Sequence, residues 1–273
     1  MTRAPTAGEP PASSAGEVIV TRDGPIATLT LKNPARRNAI SIEMWRALEA
    51  FATSTHSDHT IRVVIIRGDG RQAFSGGADI SGFSAARSGS SNASDYDDIV
   101  ENACLAIEAM RCPSIALIHG PCIGAGASVA SSCDIRLAST GSFFAVPAAR
   151  LGLGYDPRGI RRFLRVWGQA AAAEILFTAD RVPAERARSL GVLSAIADAP
   201  AIEAQAQAMA GRIATNAPLT VAAAKAALRA HIAGDANLHD EAMKLYEAAD
   251  ASADYAEGRA AFQEKRTPRF EGR

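Results

Sequence analysis

The sequence predicts an α/β fold in which a mostly parallel sheet with helical crossovers is followed by a helical last third. Two buried-strand patterns, Ile61–Gly68 (IRVVIIRG) and Pro113–Gly120 (PSIALIHG), alternate with helical segments in the first two thirds of the chain. Such alternation is typical of parallel sheets, because a helix must carry the chain back to the start of the next strand. From Gln169 onward the pattern is almost wholly helical and rich in alanine. We expect this last third to pack on the core or on a neighbouring subunit.

Composition places the chain among ordinary globular proteins. Hydrophobic residues make up 48% of its 273 residues, and 29 Lys and Arg balance 29 Asp and Glu. A neutral chain gives no reason to expect nucleic acid or an acidic membrane as a partner. No run of about 18 apolar residues is present, so we expect no membrane span. Residues 1–15 are rich in Pro, Ala, Ser and Gly and lack the apolar core of a signal peptide, which predicts a disordered tail and a cytoplasmic protein.

Cysteine and histidine spacing argues against a metal site. The four cysteines show no CxxC spacing, and reduced, buried thiols are favoured over a disulfide or a metal centre: Cys104, Cys112, Cys122 and Cys133. His56 and His59 form an HxxH pair beside Asp58, but no further ligands stand near them in sequence. A polar surface loop is the favoured interpretation, and we expect no bound metal.

The N-terminal part carries clear local signals. Glu17–Leu31 predicts a hairpin, because two β-rich runs flank the turn pair Asp23-Gly24. Asn33–Ala39 is expected to form an exposed loop, and Ser41 to cap the helix that follows it. Gln72–Ile80 predicts a second short strand that breaks at a Gly-Gly turn.

The middle of the chain predicts a loop, a helix and a strand. Residues 84–98 (SAARSGSSNASDYDD) are small, polar and acidic, and we expect a mobile loop that could act as a lid. The apolar spacing over Ile99–Met110 predicts a helix, and Asp134–Ser139 predicts another strand.

Two glycine-rich loops share one design. Ser75–Asp79 (SGGAD) and Gly120–Ala127 (GPCIGAGA) each follow a predicted strand. Glycine lets the backbone adopt positive φ and lets a ligand approach closely. On adjacent strands, two such loops could direct two backbone N–H groups at one carbonyl oxygen, as in an oxyanion hole. The second N–H would also lie at a helix N-terminus, which favours negative charge. Taken singly, either loop could be a tight turn without function.

Five collinear segments together resemble the enoyl-CoA hydratase/isomerase (crotonase) family, over about residues 16–273. They are LKNPARRNAI, FSGGADI, HGPCIGAGASVASSCDIRLAS, FFAVPAARLGLGYDPRG and AAFQEKRTPRF. The resemblance implies a crotonase-like spiral of ββα units over residues 16–205. It also implies a C-terminal helical region over residues 206–273 that builds a homotrimer, often paired into a hexamer. The ligand implied is an acyl-CoA thioester, with coenzyme A as part of the substrate and no separate cofactor.

The resemblance also assigns roles to individual residues. The two oxyanion N–H groups map onto Ala78 and Ala125, where the family usually has Gly at the second position. The residues that match coenzyme A contacts are Arg36, Arg37, Ala39, Asp79, Ile80, Phe262 and Lys265, the last two reaching a neighbouring subunit's ligand. Independently of the family, paired arginines on an exposed loop suit phosphate, although a solvated basic turn is an equal alternative.

The sequence departs from the family's hydratases at their two glutamates. These align with Ser128 and Ala148, neither of which offers a group with a pKa near neutrality. Asp156, at the position of an active-site aspartate in related isomerases and hydrolases, is the best replacement. Beside an apolar acyl pocket its pKa is expected to rise. Because Asp156 precedes a proline, it could equally cap a helix, and the two roles are compatible. Tyr155 is either a hydroxyl donor or part of the pocket wall.

Two further interpretations are less favoured. A carboxylate could come from the segment of Asp95, Asp97, Asp98 and Glu101, but a solvated acidic loop is expected there. Ser128 could be a nucleophile like that of the Clp-type serine proteases, which share a related spiral fold. Such a serine needs a nearby base, and no histidine lies between His119 and His231. Ser128 is instead expected to hydrogen-bond its own helix or a water molecule.

These observations predict an acyl-CoA enzyme that stabilises a thioester enolate through Ala78 and Ala125. Hydration of a 2-enoyl-CoA, in fatty-acid or related metabolism, is the default expectation. Isomerisation or thioester hydrolysis through Asp156 are alternatives within the same class. A catalytically impaired acyl-CoA-binding protein is the alternative from another class.

Overall fold

The computed structural model describes residues 16–79 and 90–273, with the backbone alone for residues 90–94. The expected disordered tail, residues 84–89 of the expected lid and Ile80 lie outside these ranges. Six strands form the main sheet in the order β1-β2-β3-β4-β6-β9, and β5, β7 and β8 form a second sheet. The strands are β1 (Glu17–Asp23), β2 (Ile26–Lys32), β3 (Val63–Gly68), β4 (Ser114–Ile118), β5 (Pro121–Ile123), β6 (Ile135–Ser139), β7 (Phe143–Ala145), β8 (Val182–Pro183) and β9 (Ala195–Ala197).

The predicted mostly parallel sheet is confirmed. Strands β1 and β2 form the expected antiparallel hairpin, and every later neighbour in the main sheet is parallel. The described helices are α1 (Ile42–Ser54), α2 (Ser90–Ala109), α3 (Ala125–Ser132), α4 (Pro157–Thr178), α5 (Ala184–Ser189), α6 (Ala199–Thr215), α7 (Pro218–Ala233), α8 (Ala236–Asp250) and α9 (Ala253–Glu264). The last third is mostly helical, as predicted, although the short strands β8 and β9 lie within it. The proposed boundary at residues 205 and 206 falls within α6.

The sheet is buried on both faces, which explains the unbroken apolar runs in its strands. Alternate residues of β3 point in opposite directions, so Val64 and Ile66 join the larger core, which contains residues of α1, α2, α3 and α4. Val63 and Ile65 face α6, whose buried residues recur every fourth position: Ile202, Ala206, Ala210 and Ala214. All four cysteines are buried and free, as expected. Within the described ranges, no helix is both long and apolar enough to cross a bilayer.

Two predicted elements are wrong. Residues 72–79 form no regular strand, because this segment pairs with two different partners, through the isolated bridges Ser75–Cys122 and Ile40–Ala78. The expected loop over residues 84–98 is helical from Ser90 onward. The polar composition of that segment hid a helical period, since Tyr96, Val100 and Ala103 recur on one inward face of α2.

The expected exposed loop at residues 33–39 is instead anchored at both ends. A single 3-10 turn spans Pro34–Arg36, and the flanking Asn33 and Asn38 are buried. The Asn38 amide nitrogen donates to the carbonyl oxygens of Asp69 and Ala73, at 3.0 and 2.9 Å. Asn38 lies in the left-handed region at φ 58°, a conformation that asparagine tolerates better than most residues. The anchored turn directs Ile40 toward Gly77, whose carbonyl oxygen lies 2.8 Å from the Ile40 nitrogen.

Asn38→Ala is expected to lower the free energy of unfolding by about 2–3 kcal/mol, because it leaves two carbonyl oxygens without their donor. Chemical denaturation measures this change. The matched control is Asn237→Ala on the exposed surface of α8, where a change within about 0.5 kcal/mol is expected. Equal effects of the two substitutions would contradict the anchoring role of Asn38.

Candidate active site

One cavity of about 480 Å³ collects most of the residues that the sequence nominated for chemistry. It lies between residues 76–78, the N-terminal half of α2, the start of α3 and the segment 146–156. Its walls are mainly apolar, and they include the predicted site residues Ala78, Ala125, Ser128, Ala148, Tyr155 and Asp156. Residues that lie between 47 and 78 positions after Ala78 in sequence therefore meet at one place, as the site hypothesis requires.

The two nominated backbone N–H groups are brought together by direct pairing of their loops. The Ile123 nitrogen donates to the Ser75 carbonyl oxygen at 3.0 Å, so the two chain segments run side by side. A Cβ at Gly126 would lie 2.7 Å from the Cβ of Ser75, which shows that only glycine allows this approach. Gly124 turns the chain into α3 at φ 49°, and Ala125 is the first residue of that helix.

The N–H groups of Ala78 and Ala125 are available to a ligand. Neither donates to an acceptor among the residues that the structure describes. The Ala125 N–H is one of the donors that an α-helix leaves unpaired at its first turn, and the helix dipole adds positive potential there. Both residues are partly accessible and line the same cavity. The pair can therefore stabilise negative charge on an oxygen bound between them.

Ser128 bonds to its own helix, as predicted, and also to Tyr155. Its Oγ donates to the Gly124 carbonyl oxygen at 3.4 Å and lies 3.2 Å from the Tyr155 hydroxyl oxygen. Burial raises the pKa of Tyr155 to about 12, and the hydrogen bond with Ser128 only partly offsets this. The tyrosine is thus a neutral hydroxyl group near pH 7. Among the described residues, the hydrogen-bond partners of the Ser128 hydroxyl are Gly124 and Tyr155, and neither is the base that a serine nucleophile requires.

Asp156 caps α4, and the prediction of a raised pKa is wrong. Its Oδ1 accepts the backbone N–H of Arg158 at 2.9 Å, and the Arg158 guanidinium contacts the carboxylate at 2.8 Å. Partial burial raises the pKa of Asp156, but the hydrogen bonds and charge of Arg158 outweigh this effect and leave the pKa below its ordinary value. The aspartate therefore lines the cavity as a carboxylate with weakened basicity.

The sequence predictions did not include a buried ion-pair cluster that lies beside the cavity. Arg162 of α4 donates from Nη2 to Glu101 at 2.7 Å and from Nε to Glu108 at 3.2 Å, and all three side chains are buried. Glu101, expected on a solvated acidic loop, instead faces the cavity from α2. A signal was present: Glu101 and Glu108 are two helical turns apart, and Arg158, Arg162 and Arg165 recur on one face of α4.

The described residues nominated for coenzyme A lie in two separate places. Arg36 forms an ion pair with Asp79, Arg37 is exposed and Ala39 is buried, all beside the turn at residues 34–36. Phe262 and Lys265 lie at the end of α9 and do not line the cavity, and Phe262 is 86% exposed.

His56 and His59 are exposed. Among the described residues, no cluster of three or more His, Cys, Asp or Glu side chains could hold a metal ion.

Proteins of a known family resemble this chain in sequence along almost its whole length. The family model for enoyl-CoA hydratase/isomerase matches residues 21–273, and the chain belongs to that family. It is 33% identical to "Probable enoyl-CoA hydratase echA6" of Mycobacterium leprae, over 93% of this chain and 98% of that protein. It is 32% identical to the 2,3-dehydroadipyl-CoA hydratase of Escherichia coli, over 94% and 99% of the two chains.

Solved structures confirm the predicted crotonase-like fold. The crystal structure of an enoyl-CoA hydratase/carnithine racemase from Magnetospirillum magneticum superposes with a TM-score of 0.86 at 35% identity, covering 94% of this chain and 96% of that one. A family member from Hyphomonas neptunium gives a TM-score of 0.88 at 32% identity, covering 96% and 100%.

Arg158→Ala is expected to raise the pKa of Asp156 toward the ordinary value of 3.8, because the cation that favours the carboxylate is removed. A carboxyl group whose pKa is lowered by folding stabilises the folded state at a pH above its ordinary pKa. This stabilisation disappears as the pH falls through the lowered pKa. The stability advantage of the wild type over Arg158→Ala should therefore shrink below pH 3.8. Carbon-detected NMR titration of Asp156 and denaturation at several pH values measure both effects. In Arg161→Ala, which removes a partner of Glu108 instead, the pKa of Asp156 should stay unchanged.

Proposed function

We propose that this chain is an acyl-CoA enzyme, and that it hydrates a 2-enoyl-CoA to a 3-hydroxyacyl-CoA in the cavity described above. The observation that carries this proposal is the pair of available N–H groups, from Ala78 and Ala125, at the wall of one mainly apolar cavity. Family membership and relatives named as hydratases support the same reaction.

The geometry suits the charge that hydration creates. When water adds to the β-carbon and a proton is transferred to the α-carbon, negative charge develops on the thioester oxygen. Two backbone donors and a helix N-terminus at that oxygen stabilise this charge most strongly where water is excluded. The mainly apolar walls around Ala125 provide such an environment.

The coenzyme A part of the ligand would be held outside the cavity. Arg37 is exposed beside Gly76, so its guanidinium group can approach phosphate, and the ion pair with Asp79 holds the neighbouring Arg36 in place. The 86% exposed aromatic ring of Phe262 suits contact with a neighbouring copy's ligand, which supports the proposed homotrimer.

A second candidate function is acyl-CoA binding without efficient turnover. It is favoured by the neutral side chains of Ser128 and Ala148 and by the lowered pKa of Asp156. The ion pair with Arg158 also weakens the case for isomerisation or thioester hydrolysis through Asp156. Incubation with 2-enoyl-, 3-enoyl- and saturated acyl-CoAs, with products identified by mass spectrometry, distinguishes these functions. Hydroxyacyl product supports hydration, whereas saturable binding without any product supports the second candidate.

Ala125→Pro is expected to reduce kcat for crotonyl-CoA hydration by about 10²–10³-fold, because it removes one oxyanion donor. Proline is well tolerated at the first position of a helix, so the fold should persist. Ala125→Gly, which keeps the N–H, is the matched control. Stopped-flow absorbance of the enoyl thioester gives the rates, and equal kcat values for the two variants would contradict the assigned oxyanion donor.

Ser128→Glu is expected to increase hydration of crotonyl-CoA by about 10²–10⁴-fold, because it supplies a general base one helical turn from the Ala125 N–H. Ser128→Gln has nearly the same size and cannot ionise, which makes it the matched control. Steady-state rates against pH measure the gain, which should follow the titration of one carboxyl group. A Glu variant no faster than the Gln variant would show that position 128 lies outside the reaction centre.

A further inference from the structure

Arg162 forms the wall between two cavities. Its side chain is 2% exposed and borders both the cavity of the proposed acyl site, about 480 Å³, and a second cavity of about 180 Å³. Glu101 accompanies it on the first side, and Glu108 on the second. Here the wall between the two cavities is the ion-paired cluster of Glu101, Arg162 and Glu108.

The wall is held rigidly. The guanidinium donates to Glu101 at 2.7 Å and to Glu108 at 3.2 Å, and these carboxylates lie on the same helix, α2. Because all three groups are buried, displacing one would leave a charge without its partner in a water-poor environment. A ligand pressing on this wall would therefore not move it aside easily, unlike a wall of flexible apolar side chains.

The space behind the wall would accept an apolar chain. Its apolar lining comes from α2, α7 and the start of α8: Leu105, Ala109, Ile232, Ala233 and Leu238. Leu105 and Ile232 are 38% and 54% exposed, so covering them would be favourable. Charged side chains of Arg161, Arg165 and Arg229 line the rest of this cavity, so a longer acyl chain would lie along its apolar side once the ion-paired wall is removed.

We propose that the Glu101–Arg162 ion pair is the floor of the acyl pocket and limits this protein to short acyl chains. This inference rests on the proposed function, since it takes the first cavity to be the acyl site. Glu101 and Arg162 act here as specificity-determining residues that meet the far end of the acyl chain.

Binding of saturated acyl-CoAs, from butyryl- to dodecanoyl-CoA, tests this floor by isothermal titration calorimetry without requiring turnover. Wild-type affinity is expected to fall once the chain reaches the wall. In the double variant Glu101→Ala and Arg162→Ala, affinity should instead rise by about tenfold for each further pair of methylene groups that enters the second cavity. Butyryl-CoA, which ends before the wall, should bind both proteins equally.

Two matched variants separate the wall from its surroundings. Glu101→Leu with Arg162→Met refills the space with flexible apolar side chains, and should shift the length limit less than the double alanine variant does. Arg161→Ala removes another partner of Glu108 that borders only the second cavity, and should keep the wild-type length limit. If the double alanine variant does not fold, Glu101→Ala alone keeps Arg162 paired with Glu108 and should shift the limit less, in the same direction.

The outcomes distinguish the floor from the function. If the wild type binds these thioesters and the alanine variants keep its length profile, the floor is wrong and the proposed function is untouched. Wild-type affinity that keeps rising to dodecanoyl-CoA also overturns the floor. A wild-type protein that binds none of the thioesters overturns the proposed function, and the floor with it.

Discussion

The close approach of two chain segments at Ser75 and Gly126 is the constraint on which the site depends. The Ile123 nitrogen bonds to the Ser75 carbonyl oxygen, and the absent side chain of Gly126 leaves room for Ser75. This contact places the N–H of Ala78 beside the first turn of α3, whose own unpaired N–H belongs to Ala125. Without it, the two donors would belong to separate turns, and neither turn alone could stabilise a developing oxyanion.

The surroundings of these donors divide into neutral and charged parts. Near Ala125, Ser128 and Tyr155 form a neutral hydroxyl pair, in which burial keeps the tyrosine protonated. Further along the cavity, the carboxylates of Glu101 and Asp156 are each bound to an arginine of α4. The contact of Arg162 with Glu101 thus joins α2 to α4 at the cavity, whereas Arg158 lowers the pKa of Asp156 and with it the basicity of that carboxylate.

Sequence patterns predicted correctly the turns and helix ends whose stability depends on neighbouring residues in the chain. The hairpin about Asp23-Gly24 and the capping of α1 by Ser41 follow from turn and capping preferences. The helix over residues 90–98 was missed because its polar surface obscured Tyr96 and Val100, which become informative only when they pack inward. The sequence predicts an exposed loop at residues 33–39 and not the anchored turn, since nothing local shows that Asn38 will reach the carbonyl oxygens of Asp69 and Ala73.

The sequence by itself determined the family, the mostly parallel sheet and the two glycine loops, because glycine positions and apolar periods record backbone requirements directly. Only the tertiary structure decided the charge state of the site. Asp156 could be nominated from sequence, but its pKa depends on where the guanidinium of Arg158 lies. The sequence predicts a solvated loop around Glu101, whereas in the folded chain α4 brings Arg162 to Glu101 across 61 residues. Electrostatic interactions act through space and depend on burial, so they are fixed only when distant segments meet.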